Sequence, residues 1–308
     1  MDQPTAIRVR VPASSANLGP GFDTLALALG LYLRCKLRRA KGRSKVLVSG
    51  VDIAAIPRDS SNLIFQTFCR EIGGAATEPG GDGFELEIEN NIPLGRGLGS
   101  SAAAIVAGLS LANEWSGLGR SRDELIQRAT EIEGHPDNVA AAVRGGLAAS
   151  CQNEEGSVVS VNCPVAPGLE VVLVVPESRL ATEKARAALP DKYSRKDAVF
   201  NVQRVALLIE AFRAGRKDLL AEAMRDRLHQ PYRAPLVPGL REALNLTGVE
   251  GLLGVALSGA GPSVIALCDG NARKIGGAIA GCFRKQGIGA EARPLPIDSE
   301  GLAVERIA

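Results

Sequence analysis

Residues 84–113, FELEIENNIPLGRGLGSSAAAIVAGLSLAN, constrain the fold more than any other stretch of this chain. Phe84, Leu86 and Ile88 alternate with Glu85, Glu87 and Glu89, the period of a strand with one buried face. From Ala102 to Ala112 the sequence is small and apolar on every side, which suits a helix enclosed by the core. Between the two, Gly95, Gly97 and Gly99 leave the connection bare of side chains, so its amides can turn onto a ligand. Ser100 and Ser101 stand where the helix begins, as its cap or in its first turn. Orphan N–H groups and the positive end of the helix dipole attract phosphate to such a place. The loop is neither of two better-known phosphate loops. GxxxxGK[ST] needs a lysine before its hydroxyl residue, and here Gly99 precedes Ser100 directly. The dinucleotide fingerprint GxGxxG needs a following strand that ends in an acid, and helical sequence follows here instead. Glycine spacing alone leaves a phosphate cradle and a tight structural turn equally open.

At 308 residues the chain can form two domains, and the proline-bearing PVAPG stretch places a boundary at 165, giving residues 1–165 and 166–308. A net charge of +2 and the absence of a long basic run argue against nucleic acid as a partner. MDQPTAIRVR lacks the apolar core of a signal peptide, and no apolar run approaches the ~20 residues of a membrane span. The expectation is a cytoplasmic protein with no membrane association. Six cysteines without metal spacing read as buried, reduced thiols, and two histidines in all argue against a zinc site.

Along the chain, AIRVRV (6–11) alternates as a strand, and Pro12, Asn17, Gly19, Pro20 and Gly21 predict irregular backbone over 12–21. YLRCKL and KVLVS read as strands joined in a solvated hairpin by RRAKGR. Asp59 or Ser60 caps a helix that Asn62 opens, and GGAATEPGGD (73–82) is a flexible connection. Ser121 caps the helix SRDELIQRATEIEG, with Leu125, Ile126, Ala129 and Ile132 facing inward. Glu131 and Glu133 oppose the dipole at its end, a hint that one is kept for a cation. His135, Asp137 and Asn138 form a further polar cluster before an alanine-rich helix that Asp137 or Asn138 can cap. LEVVLVVP reads as a strand buried on both faces, with helices at 195–213 and 216–227 after it. A helix at 272–287 and a strand at 289–293 complete the second half.

PLGRGLGSSAA (93–103) resembles the second motif of the GHMP kinases, whose members phosphorylate galactose, homoserine, mevalonate and phosphomevalonate. PASSANLGPGFD (12–23) resembles the first motif and SGAGPS (258–263) the third, so the likeness spans nearly the whole chain. Its detail is that of the homoserine kinase branch, as are GHPDNVAAAVRGG, ATEKARAALP and DRLHQPYRAPLVPG. The resemblance implies an α+β, two-domain GHMP kinase fold. Its N-terminal domain is of the ribosomal protein S5 domain 2-like type and its C-terminal domain is ferredoxin-like. It further implies ATP and Mg²⁺ as cofactors, L-homoserine as substrate, O-phospho-L-homoserine (a precursor of threonine) as product, and often a homodimer.

Carried over residue by residue, Pro93, Leu94, Gly95, Arg96, Gly97, Leu98, Gly99, Ser100, Ser101, Ala102 and Ala103 form the phosphate loop and helix start. Ser258, Gly259 and Gly261 support them, and Asn62 approaches adenine unless it is simply structural. Ser100 and Glu131, favoured over Ser101 and Glu133, hold the metal. Asn17, Asp23, His135, Asn138, Thr182, Arg186 and Arg233 surround the acceptor. Asp23 takes the ammonium group and the two arginines take the carboxylate. Asp137 is left open as a base, because a loose phosphoryl-transfer transition state draws mainly on positioning and charge neutralisation. A mevalonate or sugar kinase is the nearest alternative, disfavoured because those acceptors lack an amino-acid head. A nucleotide-binding regulator without catalysis is the alternative from another class.

Overall fold

The computed structural model describes residues 5–73 and 83–307. The expected flexible connection falls almost wholly outside them. The first part of the chain runs β1 (Ala6–Asn17), β2 (Gly21–Ala40), β3 (Lys45–Gly50), α1 (Leu63–Glu71), β4 (Gly83–Asn90), α2 (Ser100–Ser116) and α3 (Arg122–Glu133). It continues through α4 (Asp137–Arg144), β5 (Leu147–Gln152) and β6 (Val158–Cys163). The second part opens with β7 (Glu170–Pro176), α5 (Thr182–Ala187) and α6 (Arg195–Ala214). Three short helical turns follow, α7 (Leu220–Ala223), α8 (Gln230–Arg233) and α9 (Leu240–Leu244). Then come β8 (Leu252–Leu257), β9 (Val264–Cys268), α10 (Ala272–Arg284), β10 (Ala290–Leu295) and β11 (Ala303–Ile307).

Seven strands form the first sheet, in the order β11-β1-β2-β4-β3, with β5 joining β2 further along and β6 outside β5. The predicted hairpin of β2 with β3 does not form. Instead β4 lies between them, antiparallel to β2 and parallel to β3. Charge explains the choice, since Arg34, Lys36 and Arg38 on β2 stand directly opposite Glu89, Glu87 and Glu85 on β4. The other face of both strands supplies apolar residues to the core. The stretch 12–21 is also more regular than its Pro and Gly content predicts. β1 continues to Asn17 through register shifts at Pro12/Ala13 and Ala16/Asn17, so the first motif is a strand end and a tight turn.

The second sheet is antiparallel in the order β10-β7-β9-β8. Counted along the chain this is 4-1-3-2, and with helices after the first and third strands it is the ferredoxin-like arrangement. The predicted helix 216–227 is only a 3-10 turn and α7, because Asp226 turns the next residues into a loop by accepting backbone N–H groups. PVAPG carries the chain from the first sheet to the second, but the return at the far end was not expected: β11 pairs with β1 and closes the first sheet.

α2 lies at the centre, packed on β1, α1, α3 and α4. Its small residues permit this. A Cβ on Gly108 would stand 2.7 Å from the carbonyl oxygen of Ile64, so α1 and α2 meet almost backbone to backbone. One hydrophobic cluster runs from this helix through both sheets. All six cysteines are free thiols, but only Cys35 and Cys268 are buried; Cys69, Cys163 and Cys282 are half-buried and Cys151 is exposed. Among the described residues no helix is long and apolar enough to cross a membrane.

Candidate active site

The loop from β4 to α2 is pinned at each step. Leu94 donates its N–H to Asp52 Oδ2 at 2.8 Å, and Asp52 is also paired with Arg179 at 3.0 Å. Arg96 turns aside to the Pro176 carbonyl, which leaves the cleft to the backbone. Gly95, Gly97 and Gly99 all have positive φ, at 65°, 74° and 67°. At Gly97 the reason is close approach: a Cβ there would stand 2.1 Å from the carbonyl oxygen of Ser258. Ser258 Oγ donates to the Gly97 carbonyl at 2.7 Å, and Gly261 N–H closes the same turn onto the Ser258 carbonyl. The third motif thus buttresses the second. Gly99 is the N-cap of α2 and has no side chain to engage the first amides. The Leu98 carbonyl accepts the Ser14 N–H at 3.1 Å, tying the loop to β1. Pro93, Ala102 and Ala103 are buried behind the loop, where they shape it from within.

Beyond the helix start, the structure separates the two candidate glutamates. Glu131 points to solvent and is held by Arg128 at 2.8 Å and Gln127 at 3.1 Å, away from the serines. Glu133 accepts from Ser101 Oγ at 2.8 Å, and both line the cleft with Ser100. Glu131, expected as the metal ligand, thus stands away from the cleft, because the two-residue offset rotates it off the cleft face of α3. Burial pushes the Glu133 carboxyl above its usual range. Asn62, expected near adenine or as a structural residue, has its side chain engaged at the start of α1. It caps α1 itself, accepting from Ile64 and Phe65 N–H while donating to the Pro57 carbonyl, and it lies outside the cleft lining. Neither Asp59 nor Ser60 is the cap.

His135 Nδ1 lies 2.8 Å from Asp137 Oδ1, which also accepts the Asn138 N–H at 2.7 Å. The bond to Asp137 raises the His135 pKa above its ordinary 6.5. Asn138 Oδ1 in turn accepts from Ser14 Oγ at 2.8 Å, a partner overlooked within the serine pair of the first motif. Across the cleft, Arg186 meets Asp23 in a two-pronged pair, both bonds 2.9 Å. Asp23 was expected to take the acceptor's ammonium group. Its neighbour is instead the arginine carried over for the opposite end of the acceptor, and the pair joins β2 to α5.

Arg233 is almost fully buried and donates to the carbonyls of Ala185 (3.2 Å) and Gly259 (3.1 Å). Desolvation, then the Arg186 charge, lowers its pKa to about 10. The Gly259 carbonyl also accepts from Asn17 Nδ2 at 3.0 Å, while Asn17 Oδ1 accepts the Asp23 N–H. Thr182 begins α5 at the same mouth. All these side chains line one small cleft of about 90 Å³, together with the phosphate loop. A groove of about 750 Å³ lies on the outer face of the first sheet, remote from this chemistry.

Residues 62–146 match the model of the GHMP kinase N-terminal domain and residues 208–285 that of the GHMP kinase C-terminal domain. The homoserine kinase of Solibacter usitatus is 45% identical over 299 residues, covering 97% of each chain. That of Desulfitobacterium hafniense is 44% identical over 97% of this chain and 99% of its own. The chain belongs to the GHMP kinase family. Among solved structures, the homoserine kinase of Cytophaga hutchinsonii superposes with a TM-score of 0.85 at 29% identity, over 99% of both chains. In this GHMP kinase the three motifs meet at one point: Asn17 of the first bonds the Gly259 carbonyl of the third, which packs on Gly97 of the second.

Proposed function

We propose that this GHMP kinase transfers the γ-phosphoryl group of ATP to the side-chain hydroxyl of L-homoserine. One observation carries the choice of acceptor: Asp23, Arg186 and Arg233 surround the cleft that Ser100, Ser101 and Glu133 also line. An amino-acid head group brings one ammonium and one carboxylate. It can exchange with the Asp23–Arg186 pair charge for charge, ammonium to Asp23 and carboxylate to Arg186 and Arg233. A sugar or mevalonate offers no such exchange. The relatives named homoserine kinase over nearly the whole chain support the same reading.

The chemistry then asks for little beyond placement. The loop amides and the start of α2 receive the phosphates. Ser101 and Glu133 would hold Mg²⁺, and phosphate oxygens would complete the shell, since among the described residues no cluster of three or more His, Cys, Asp or Glu could hold a metal ion. A magnesium ion there would neutralise charge on the terminal phosphates. Asp137 spends one carboxylate oxygen on His135 and Asn138, a role of orienting both toward the acceptor. The acceptor oxygen attacks the γ-phosphorus as the bond to the β-phosphate oxygen breaks, ADP departs and the hydroxyl proton is released. Alignment in a closed cleft can supply much of the rate, whereas a dedicated base adds about 10²–10⁴-fold. The test is an acceptor screen with ATP and Mg²⁺, following ADP release with homoserine, mevalonate, galactose or no acceptor. Homoserine alone should give turnover; preferred turnover of galactose or mevalonate would refute the assignment.

A further inference from the structure

His229 lies outside the residues assigned above, yet it is fully buried directly behind Arg233. Its Nε2 is 2.7 Å from the carbonyl oxygen of Gly19, in the turn of the first motif. Its Nδ1 is 3.3 Å from Arg233 Nη1. A carbonyl only accepts and a guanidinium only donates, so Nε2 carries the proton and Nδ1 offers a lone pair. Both neighbours demand the same neutral tautomer. The ring also stacks on Phe22, with centroids 5.3 Å apart, and Phe22 lies beneath the guanidinium groups of Arg233 (5.2 Å) and Arg186 (5.7 Å).

The surroundings of the ring are otherwise satisfied. Asp226 Oδ2 is 3.6 Å from Nε2, but its carboxylate already accepts from Asn201 Nδ2 and from the N–H groups of Leu228, His229 and Gln230. Arg233, Asp226 and Asp23 are the charged groups acting on the imidazole; burial, reinforced by the Arg233 charge, outweighs the two carboxylates and pushes its pKa below 6.5. Gly19 itself packs closely on the Met224 backbone, where a Cβ would stand 2.1 Å from the carbonyl oxygen. The imidazole thus spans the distance between the first-motif turn and the buried Arg233 guanidinium, which the Ala185 and Gly259 carbonyls hold on its other sides.

From this geometry we infer that His229 is a positioning residue, which fixes the rotation of the Arg233 guanidinium toward the acceptor's carboxylate by accepting its Nη1–H. The inference rests on the proposed role of Arg233. A purely packing histidine would be replaceable by any ring of similar size, and the polar atoms at its two ends would be immaterial.

Three variants separate the possibilities. His229→Phe keeps a ring and removes both polar ends, His229→Asn keeps an acceptor near the Nδ1 position, and His229→Gln keeps a donor near the Nε2 position. His229→Phe should raise KM for homoserine about tenfold, the loss of one hydrogen bond to a charged group, with KM for ATP within about twofold. His229→Asn should recover most of that loss and His229→Gln little. Equal KM for homoserine in all three, or parallel rises in both KM values, would overturn the inference. The wild-type enzyme provides a check that needs no turnover. With only two histidines in the chain, ¹⁵N imidazole shifts are assigned by comparison with His229→Asn. A neutral Nε2–H ring at pH 7 supports the proposal, and an Nδ1–H or charged ring overturns it. Failure of the kinase reading would appear separately, as wild-type enzyme that ignores homoserine while this signature persists.

Discussion

Replacing Gly97 by Ala tests the claim that the second and third motifs form one unit. At φ +74° an L side chain is strained, at roughly 1–2 kcal/mol for a left-handed residue. The added Cβ would also stand 2.1 Å from the Ser258 carbonyl oxygen and 2.7 Å from the Gly261 nitrogen. Both are backbone atoms, so no side chain can swing away, and the two turns must separate at an overpacking cost of about 1–3 kcal/mol. The total is about 2–5 kcal/mol. Gly95 is the internal control. Its φ is +65°, yet nothing lies within 4 Å of its Cβ position, so Gly95→Ala should cost only the strain, about 1–2 kcal/mol. Urea unfolding of ligand-free protein measures both, and Gly97→Ala should be the weaker by about 1–3 kcal/mol. KM for ATP in Gly97→Ala should also rise about tenfold, as a loop displaced by about 1 Å misaims its amides. Equal stabilities for the two variants would refute the packing argument, whatever happened to activity.

The remaining predictions concern the cleft. Glu133→Gln should raise the Mg²⁺ concentration for half-maximal rate at least about tenfold, whereas Glu131→Gln, paired with Arg128, should leave it nearly unchanged; Mg²⁺ titrations at saturating ATP decide, and the reverse order would restore the first assignment. Acceptors with half of the head group, 4-hydroxybutyrate or 3-aminopropan-1-ol, should each show kcat/KM lower than homoserine by about tenfold or more. Each breaks the Asp23–Arg186 pair and replaces one partner only, an effect tempered by the partial exposure of both side chains; turnover of either analogue on a par with homoserine would contradict the exchange. His135 should titrate above 6.5 in the ligand-free enzyme and His229 below it, read from imidazole proton shifts. Since the folded pKa of His135 is raised, its contribution to stability is complete below pH 6.5 and fades as pH rises through the folded value. His135→Asn should flatten that part of the stability profile, and an unchanged profile would count against the pair.

The parts of the fold carried by periodicity were legible in the sequence. The alternation in β4, the all-round apolar α2 and the capping box at Ser121 each follow from local chemistry, and each forms as expected. The neighbour of β3 was not legible, because adjacency in sequence favours a hairpin and only the facing charges of β2 and β4 override it. In the site, the three motifs identified the segments but not the rotation of a helix end. Glu131 and Glu133 differ by two residues, and which one turns inward depends on how α3 is rotated against its neighbours. The Asp23–Arg186 pair was equally hidden, since its partners are far apart in the chain and each was read as facing the acceptor alone. Asn62 shows the opposite case, a residue whose local capping chemistry was legible beside its expected place in the site.

The pairing of β11 with β1 has a consequence for how the molecule is assembled. Thr5 N–H reaches the carbonyl of Ile307 at 2.9 Å, so stretches 302 residues apart in sequence lie side by side. During synthesis, β1 must wait with one edge bare until residues 303–307 emerge, a template for unwanted pairing with other chains.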